Sequence, residues 1–178
     1  KDSMATGSSL LDEYNFDEPV YGRYVRVSSH KSRTIKYGIS IYEISVYGSY
    51  KDEDIAANKN AFSSTIKDLN LPTHAIDNKA NTSWISSAAG DQWIYVELKG
   101  IYKISSMQVD WGNNYAPNYE IQISDDAQMW QTVKTIIDGQ GGNENISDLG
   151  NQEARYVRLK LNGSSGSSYQ IIQWSVYG

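Results

Sequence analysis

The sequence predicts an all-β fold, an antiparallel β-sandwich. Three observations lead there. Apolar residues alternate with polar ones in short runs, helical periodicity is nearly absent, and Gly, Asn, Asp and Ser separate the runs. Such alternation buries one face of a strand and wets the other, as the sheets of a sandwich require. At 178 residues the chain is long enough to bury a core.

The elements follow in chain order. A weaker strand is expected over 61–64. Ile94, Val96 and Leu98 alternate and end at Lys99-Gly100. Met107, Val109 and Trp111 alternate and end at Gly112-Asn113-Asn114, and Tyr119, Ile121 and Ile123 end at Asp125-Asp126. A second weaker strand is expected over 132–137. Val157, Leu159 and Leu161 follow Arg155, and Ile172, Trp174 and Val176 close the chain. Each set of alternating apolar residues is assigned to the core face.

The tail of the chain is written twice. Arg-Tyr-Val-Arg occurs at Arg23 and again at Arg155, and Ser-Val-Tyr-Gly at Ser45 and again at Ser175. A repeat of about 130 residues in a chain of this length implies one complete module preceded by part of another. Residues 1–48 are therefore expected to be the second half of a preceding sandwich, residues 49–54 a charged linker, and residues 55–178 the complete module.

Charge and composition exclude several classes of function. The formal net charge is −5, and the acidic excess lies wholly from Lys51 onward. No basic stripe offers itself to nucleic acid or to an anionic membrane surface, whereas a polycationic glycan is electrostatically compatible. There is no Cys, which removes disulfide scaffolds, thiolate metal sites and Cys nucleophiles. No apolar run is long enough to span a membrane. No signal peptide is legible at Lys1, and the chain reads as a fragment or processed form. Catalysis lacks its parts: there is no Gly-x-Ser-x-Gly elbow and no Ser-His-Asp set. His30 and His74 fall in different modules, so no two-His metal site is suggested, and His74 reads as structural. Asp125 and Asp126 could mimic a glycosidase pair but read as a solvated hairpin. The chain is not expected to be an enzyme.

Five motifs, in order over 51–178, carry a resemblance. Ala75-Ile76-Asp77-Asn78-Lys79-Ala80-Asn81-Thr82-Ser83-Trp84 is similar to the Ala-x-Asp-Gly-Asn-x-x-Thr-x-Trp loop of discoidin, or coagulation factor V/VIII C-type, domains. Gln92–Leu98, Tyr119–Asp126 followed by Trp130, Ala154–Arg158 and the Val-Tyr-Gly end complete the set. Within that superfamily Val109–Ala116 resembles bacterial carbohydrate-binding module family 32. The resemblance implies a jelly-roll, galactose-binding-like sandwich. It also implies a non-catalytic polysaccharide-binding module covalently linked to a secreted bacterial glycan-degrading enzyme. Two other readings stay open, because relatives on this fold bind different partners. One is an adhesion module for protein or cell surfaces, and the other is a spacer with degenerate sites. The loops read as Asn-, Ser- and Gly-rich, without apolar tips for membrane insertion.

The resemblance also implies a structural Ca²⁺. Asp77 and Thr82 would ligate by side chain, and Ala75, Lys79 and Thr82 by backbone oxygen. A carboxylate, a hydroxyl and carbonyls in a tight loop are hard oxygen donors that suit this ion. The family adds a last-strand Glu, which is Glu43 in the first copy but Gln173 in the complete module.

Sugars are held by an aromatic platform flanked by planar polar side chains, and the resemblance puts the site in loops at one end of the sandwich. The candidates are Asn113, Asn114 and Tyr115 after Trp111; Lys67, Asp68 and Asn70 between Ile66 and Thr73; Tyr169 after the small polar stretch 163–168; and Trp93, which shares a strand face with Tyr95 and Glu97. Arg33 and Tyr37 stand in the corresponding tail loop of the first copy. Trp84, Trp111, Trp130 and Trp174 are assigned to the core.

Overall fold

The computed structural model describes residues 53–178, together with Tyr14 and residues 25–28 and 41–46. The chain divides into two compact units, Lys1–Val46 and Tyr47–Gly178. The half-sandwich expected over residues 1–48, with His30, Arg33 and Tyr37, lies outside the described residues except for Tyr14 and residues 25–28 and 41–46, which are exposed. There Glu43 accepts a hydrogen bond from Ser45 Oγ at 3.0 Å.

The second unit is the expected sandwich. Its strands are β1 (Asn60–Ser63), β2 (Trp84–Ile85), β3 (Gln92–Ile104), β4 (Ser106–Trp111), β5 (Asn118–Ser124), β6 (Gln131–Ile136), β7 (Asn143–Ile146), β8 (Gln152–Asn162) and β9 (Gln170–Tyr177). A single 3-10 turn, Pro72–Ile76, precedes β2. The five-stranded sheet has the order β1-β3-β8-β5-β6 and the four-stranded sheet β2-β9-β4-β7. All pairings are antiparallel. Among the described residues no helix is long and apolar enough to cross a membrane.

The alternating residues fill the space between the sheets. Ile94, Val96, Leu98, Val157, Leu159 and Leu161 are completely buried on the five-stranded side, facing Val109, Ile171, Trp174 and Val176 from the other sheet. Burial of such side chains contributes roughly 1.5–3 kcal/mol each, so this layer fixes the strand registers: a slip of one residue would turn each set out to water. Trp84 is sealed in the same core, and its indole N–H donates to the Thr65 carbonyl at 3.1 Å.

Three expectations are corrected. Lys99-Gly100 does not end the third strand. The pairing of β3 with β8 passes from Glu97↔Tyr156 to Tyr102↔Ala154, so Leu98 to Ile101 bulge opposite Arg155 and the strand continues. Lys99 takes φ 63° to make that bend. In β9, Asp110 pairs with Gln173 but Trp111 with Ile171, leaving Ile172 as the extra residue. Upstream of this bulge the facing reverses, so Ile171 occupies the core and Ile172 is half-buried. Trp130 is not a core residue either. It is half-buried on the outer face of the five-stranded sheet, in contact with Tyr95 and beneath the Arg158 guanidinium, which lies 4.0 Å from its ring centroid.

Candidate functional site

Hydrogen bonds link the connections between the sheets at one end of the sandwich into a chain. The loops 86–91, 112–117, 137–142 and 163–169 all cross between sheets at this end. The β4–β5 and β8–β9 loops are laced together. Gln170 N–H donates to the Asn114 carbonyl at 2.7 Å, Ser165 N–H to the Tyr115 carbonyl at 3.0 Å, and Tyr115 N–H to Ser165 Oγ at 2.9 Å. Asn114 Nδ2 donates to Ser168 Oγ at 3.1 Å, and Asn113 N–H to Gln170 Oε1 at 3.3 Å. Asn114 is therefore a brace between loops, whereas the Asn113 side chain faces solvent.

Tyr115 is half-buried and rests on the β6–β7 loop. A Cβ built on Gly141 would lie 2.6–3.1 Å from the Tyr115 ring, so only glycine lets the ring settle there, and its φ of +71° suits glycine as well. That loop is gripped from below by Glu144. Its Oε1 accepts from Gln140 N–H at 3.0 Å and Gly141 N–H at 3.1 Å, and its Oε2 accepts from Trp111 Nε1 at 3.1 Å and Tyr119 Oη at 2.6 Å. Trp111 and Tyr119 meet edge to face, with centroids 5.5 Å apart. Burial, then the hydrogen bond to the Glu144 carboxylate, drive the Tyr119 phenol pKa far above its ordinary value.

The other candidates divide. Lys67, Asp68 and Asn70 occupy a loop at the same end, tied to β2 by Lys67 N–H to the Ile85 carbonyl and Ile85 N–H to the Asn70 carbonyl. Lys67 and Asp68 are exposed, and Asn70 closes its own turn by donating to the Lys67 carbonyl at 3.0 Å. Tyr169 is corrected: it is completely buried, its hydroxyl donates to the Gly90 carbonyl at 2.6 Å, and it serves packing rather than ligand stacking. Trp93 lies on the outer face of the five-stranded sheet, stacked on Tyr95 at 5.4 Å, while Phe62 stacks on the same ring at 5.0 Å. These three rings, with Ile66, Leu71 and Pro72, line an open groove of about 450 Å³. The adjoining loop carries an exposed apolar tip, Leu69, at 83% exposure, contrary to the polar loops read from the sequence.

The oxygens of the Asp77–Thr82 loop converge. Thr82 Oγ1 lies 2.9 and 3.0 Å from the Asp77 carboxylate oxygens and 3.0 Å from the Lys79 carbonyl. Gln173 Oε1 reaches the same loop and accepts from Asn78 N–H at 3.1 Å. These hard oxygens fit Ca²⁺ in type, with Asp77 as the single carboxylate of the set. The Lys79 ammonium, 4.0 Å from Asp77 Oδ2, competes for that charge. Ala75 is buried at the base of the loop.

The profile of the F5/8 type C domain matches residues 55–174. The chain belongs to the F5/8 type C domain family. Among solved structures, this F5/8 type C domain is 32% identical to chitosan-binding module 1 of a chitosanase/glucanase from Paenibacillus sp. IK-5. The alignment covers 71% of this chain and 99% of that one, with a TM-score of 0.67. Module 2 of the same enzyme, solved with chitotriose, is 31% identical over 70% of this chain and 99% of its own, with a TM-score of 0.66. A family 32 carbohydrate-binding module from C. perfringens, bound to galactose, shares the fold at 21% identity and a TM-score of 0.60, covering 68% of this chain and 94% of its own. A polysaccharide lyase 8 family protein of Enterococcus faecalis is 28% identical over 88 residues, which are 48% of this chain and 6% of that protein. The structural neighbours of this F5/8 type C domain are thus bacterial carbohydrate-binding modules.

The residues missed from the sequence are Glu144, Gly139, Gly141 and Ser165. The one signal for Glu144 and the glycines was the glycine-rich run from Gly139 to Gly142 immediately before Asn143-Glu144, and Ser165 carried none.

Proposed function

We propose that this F5/8 type C domain is a non-catalytic polysaccharide-binding module that holds an attached, secreted bacterial glycan-degrading enzyme on its substrate. One observation carries the reading: identity of 31–32% over nearly the whole length of two chitosan-binding modules. Chitosan-type chains are the first ligand class to test, and the net charge of −5 suits a polycation. Tyr115 supplies the stacking face, seated on Gly141, and Asn113 a planar amide for sugar hydroxyls. Ca²⁺ braces the Asp77–Thr82 loop against Gln173 at low affinity, since the set holds one carboxylate. The preceding partial module, residues 1–48, adds a second binding unit when complete, and avidity rises if both sites reach one polymer.

Affinity electrophoresis of the full chain against chitosan, β-glucan, α-glucan, galactan and mannan, with Ca²⁺ present, tests this. Retardation by one polymer is expected. Free migration in every gel would remove the proposal. The exposed Leu69 beside the Phe62–Trp93 groove favours a second reading, adhesion to a protein or cell surface. That reading gains if no glycan retards the chain.

A further inference from the structure

We infer that Glu144 is the positioning residue of the sugar platform. The inference rests on the reading of the loop end as the glycan site. Glu144 stands at the junction of two parts that must be aligned. One carboxylate oxygen is fixed to the core through Trp111 and Tyr119, both almost completely buried. The other holds the backbone N–H groups of Gln140 and Gly141. Gly141 in turn is the surface on which the Tyr115 ring lies. The carboxylate thus transmits the position of β4 and β5 to the ring through one rigid side chain and one turn of backbone.

The surroundings are shaped for this contact. A Cβ on Gly139 would come within 2.9 Å of Glu144 Oε1, so glycine there lets the loop lie close against the carboxylate. Among the described residues Glu144 has no cation within salt-bridge distance. Its charge is held by four neutral donors, two from the core and two from the loop, and hydrogen bonds to a charged acceptor are the stronger kind. Glu144→Gln keeps the shape but turns an amide N–H₂ toward one pair of donors, so either the loop or the indole and phenol lose their acceptor. A platform that tilts loses affinity even though the ring remains, because stacking and hydroxyl contacts must be met together.

Three single variants of the full chain separate positioning from general stability. Glu144→Gln loosens the grip on the loop. Gly141→Ala keeps the Glu144 side chain and pushes the Tyr115 ring away. Leu98→Ala shortens a buried core side chain of β3 that takes no part in the Glu144 hydrogen bonds. Each is titrated with chitotriose, its Tm is measured, and amide exchange at Gln140 and Gly141 and the ring signals of Tyr115 are followed by NMR. Glu144→Gln and Gly141→Ala are expected to weaken chitotriose binding about tenfold. Glu144→Gln should also speed exchange of both amides, while Leu98→Ala lowers Tm and keeps wild-type affinity and exchange. Wild-type affinity in Glu144→Gln overturns the inference, and so does an equal loss of binding in Leu98→Ala at the same Tm. If the wild-type chain binds neither chitotriose nor any polymer, it is the glycan reading that fails. The Tyr115 ring signals then decide: a shift in Glu144→Gln supports positioning, and an unchanged ring overturns it.

Discussion

Gln173 and Asn78 grip each other twice: Asn78 N–H donates to Gln173 Oε1 at 3.1 Å, and Gln173 Nε2 donates to Asn78 Oδ1 at 3.1 Å. The pair bolts the Asp77–Thr82 loop to the middle of β9 with neutral groups. Where the resemblance to discoidin domains leads one to expect Glu, the amide offers an oxygen without a charge. Asn78 stands at φ 57°, the left-handed region that Asn tolerates.

The first prediction concerns that loop. Adding Ca²⁺ to the full chain should raise its Tm and a chelator should lower it, because an ion that binds only the folded state stabilises it. Gln173→Glu should enlarge the response, approaching about 2.7 kcal/mol at a hundredfold excess over Kd. A Tm indifferent to both Ca²⁺ and chelator, in both proteins, would dismiss the ion.

The second prediction separates two aromatic residues. Tyr115→Ala should cost about 2 kcal/mol of glycan binding, some thirtyfold in Kd, with a small change in Tm. Trp93→Ala should leave glycan affinity intact, because its ring stacks on Tyr95 on the outer face of the five-stranded sheet. The opposite pattern in a titration with chitotriose would move the site to the sheet face.

Tyr169 supplies the third. Its ring is completely buried and its hydroxyl bonds to Gly90. Tyr169→Phe should therefore lower stability by about 1 kcal/mol, and Tyr169→Ala by about 3–5 kcal/mol. Denaturant melts measure both. A Tyr169→Phe variant that keeps its stability but loses glycan binding would return Tyr169 to the ligand site.

The fourth prediction concerns alkaline pH. Burial raises the pKa of Tyr119 first of all, with its bond to Glu144 adding to the effect, and burial also raises Tyr169 and Tyr95. A phenol whose folded pKa is raised binds its proton more tightly in the native state. Its stabilising contribution is complete below the unfolded value of about 10 and declines as pH rises from there toward the folded pKa. The chain should therefore lose stability steeply above about pH 10, and Tyr119→Phe should flatten that slope. An unchanged slope in the variant would assign the loss to other groups.

The core strands were legible because alternation has a direct physical meaning: every apolar residue two positions apart shares a face. Bulges escaped this reading. The extra residue at Ile172 changes the phase without changing the composition, so Ile171 and Ile172 exchanged roles unseen. β7 escaped as well, since Asn143, Glu144 and Asn145 carry no apolar alternation and pair through the backbone. In the candidate site, Tyr115 was legible as an aromatic between turn residues. Tyr169 looked the same in sequence, yet it sits one residue before β9, where the chain has already turned inward. Glu144 was illegible because its core partners Trp111 and Tyr119 come from other strands, and no local pattern records such a meeting.

The lacing of the β4–β5 loop to the β8–β9 loop has a consequence for anyone reshaping specificity. Asn114, Tyr115, Ser165, Ser168 and Gln170 exchange hydrogen bonds in both directions, so neither loop has a conformation of its own to transplant. A library that varies 112–117 alone would strand donors on 163–169, and the reverse holds equally. The two segments form one exchangeable cassette, and diversity introduced into both together is the kind this scaffold can absorb.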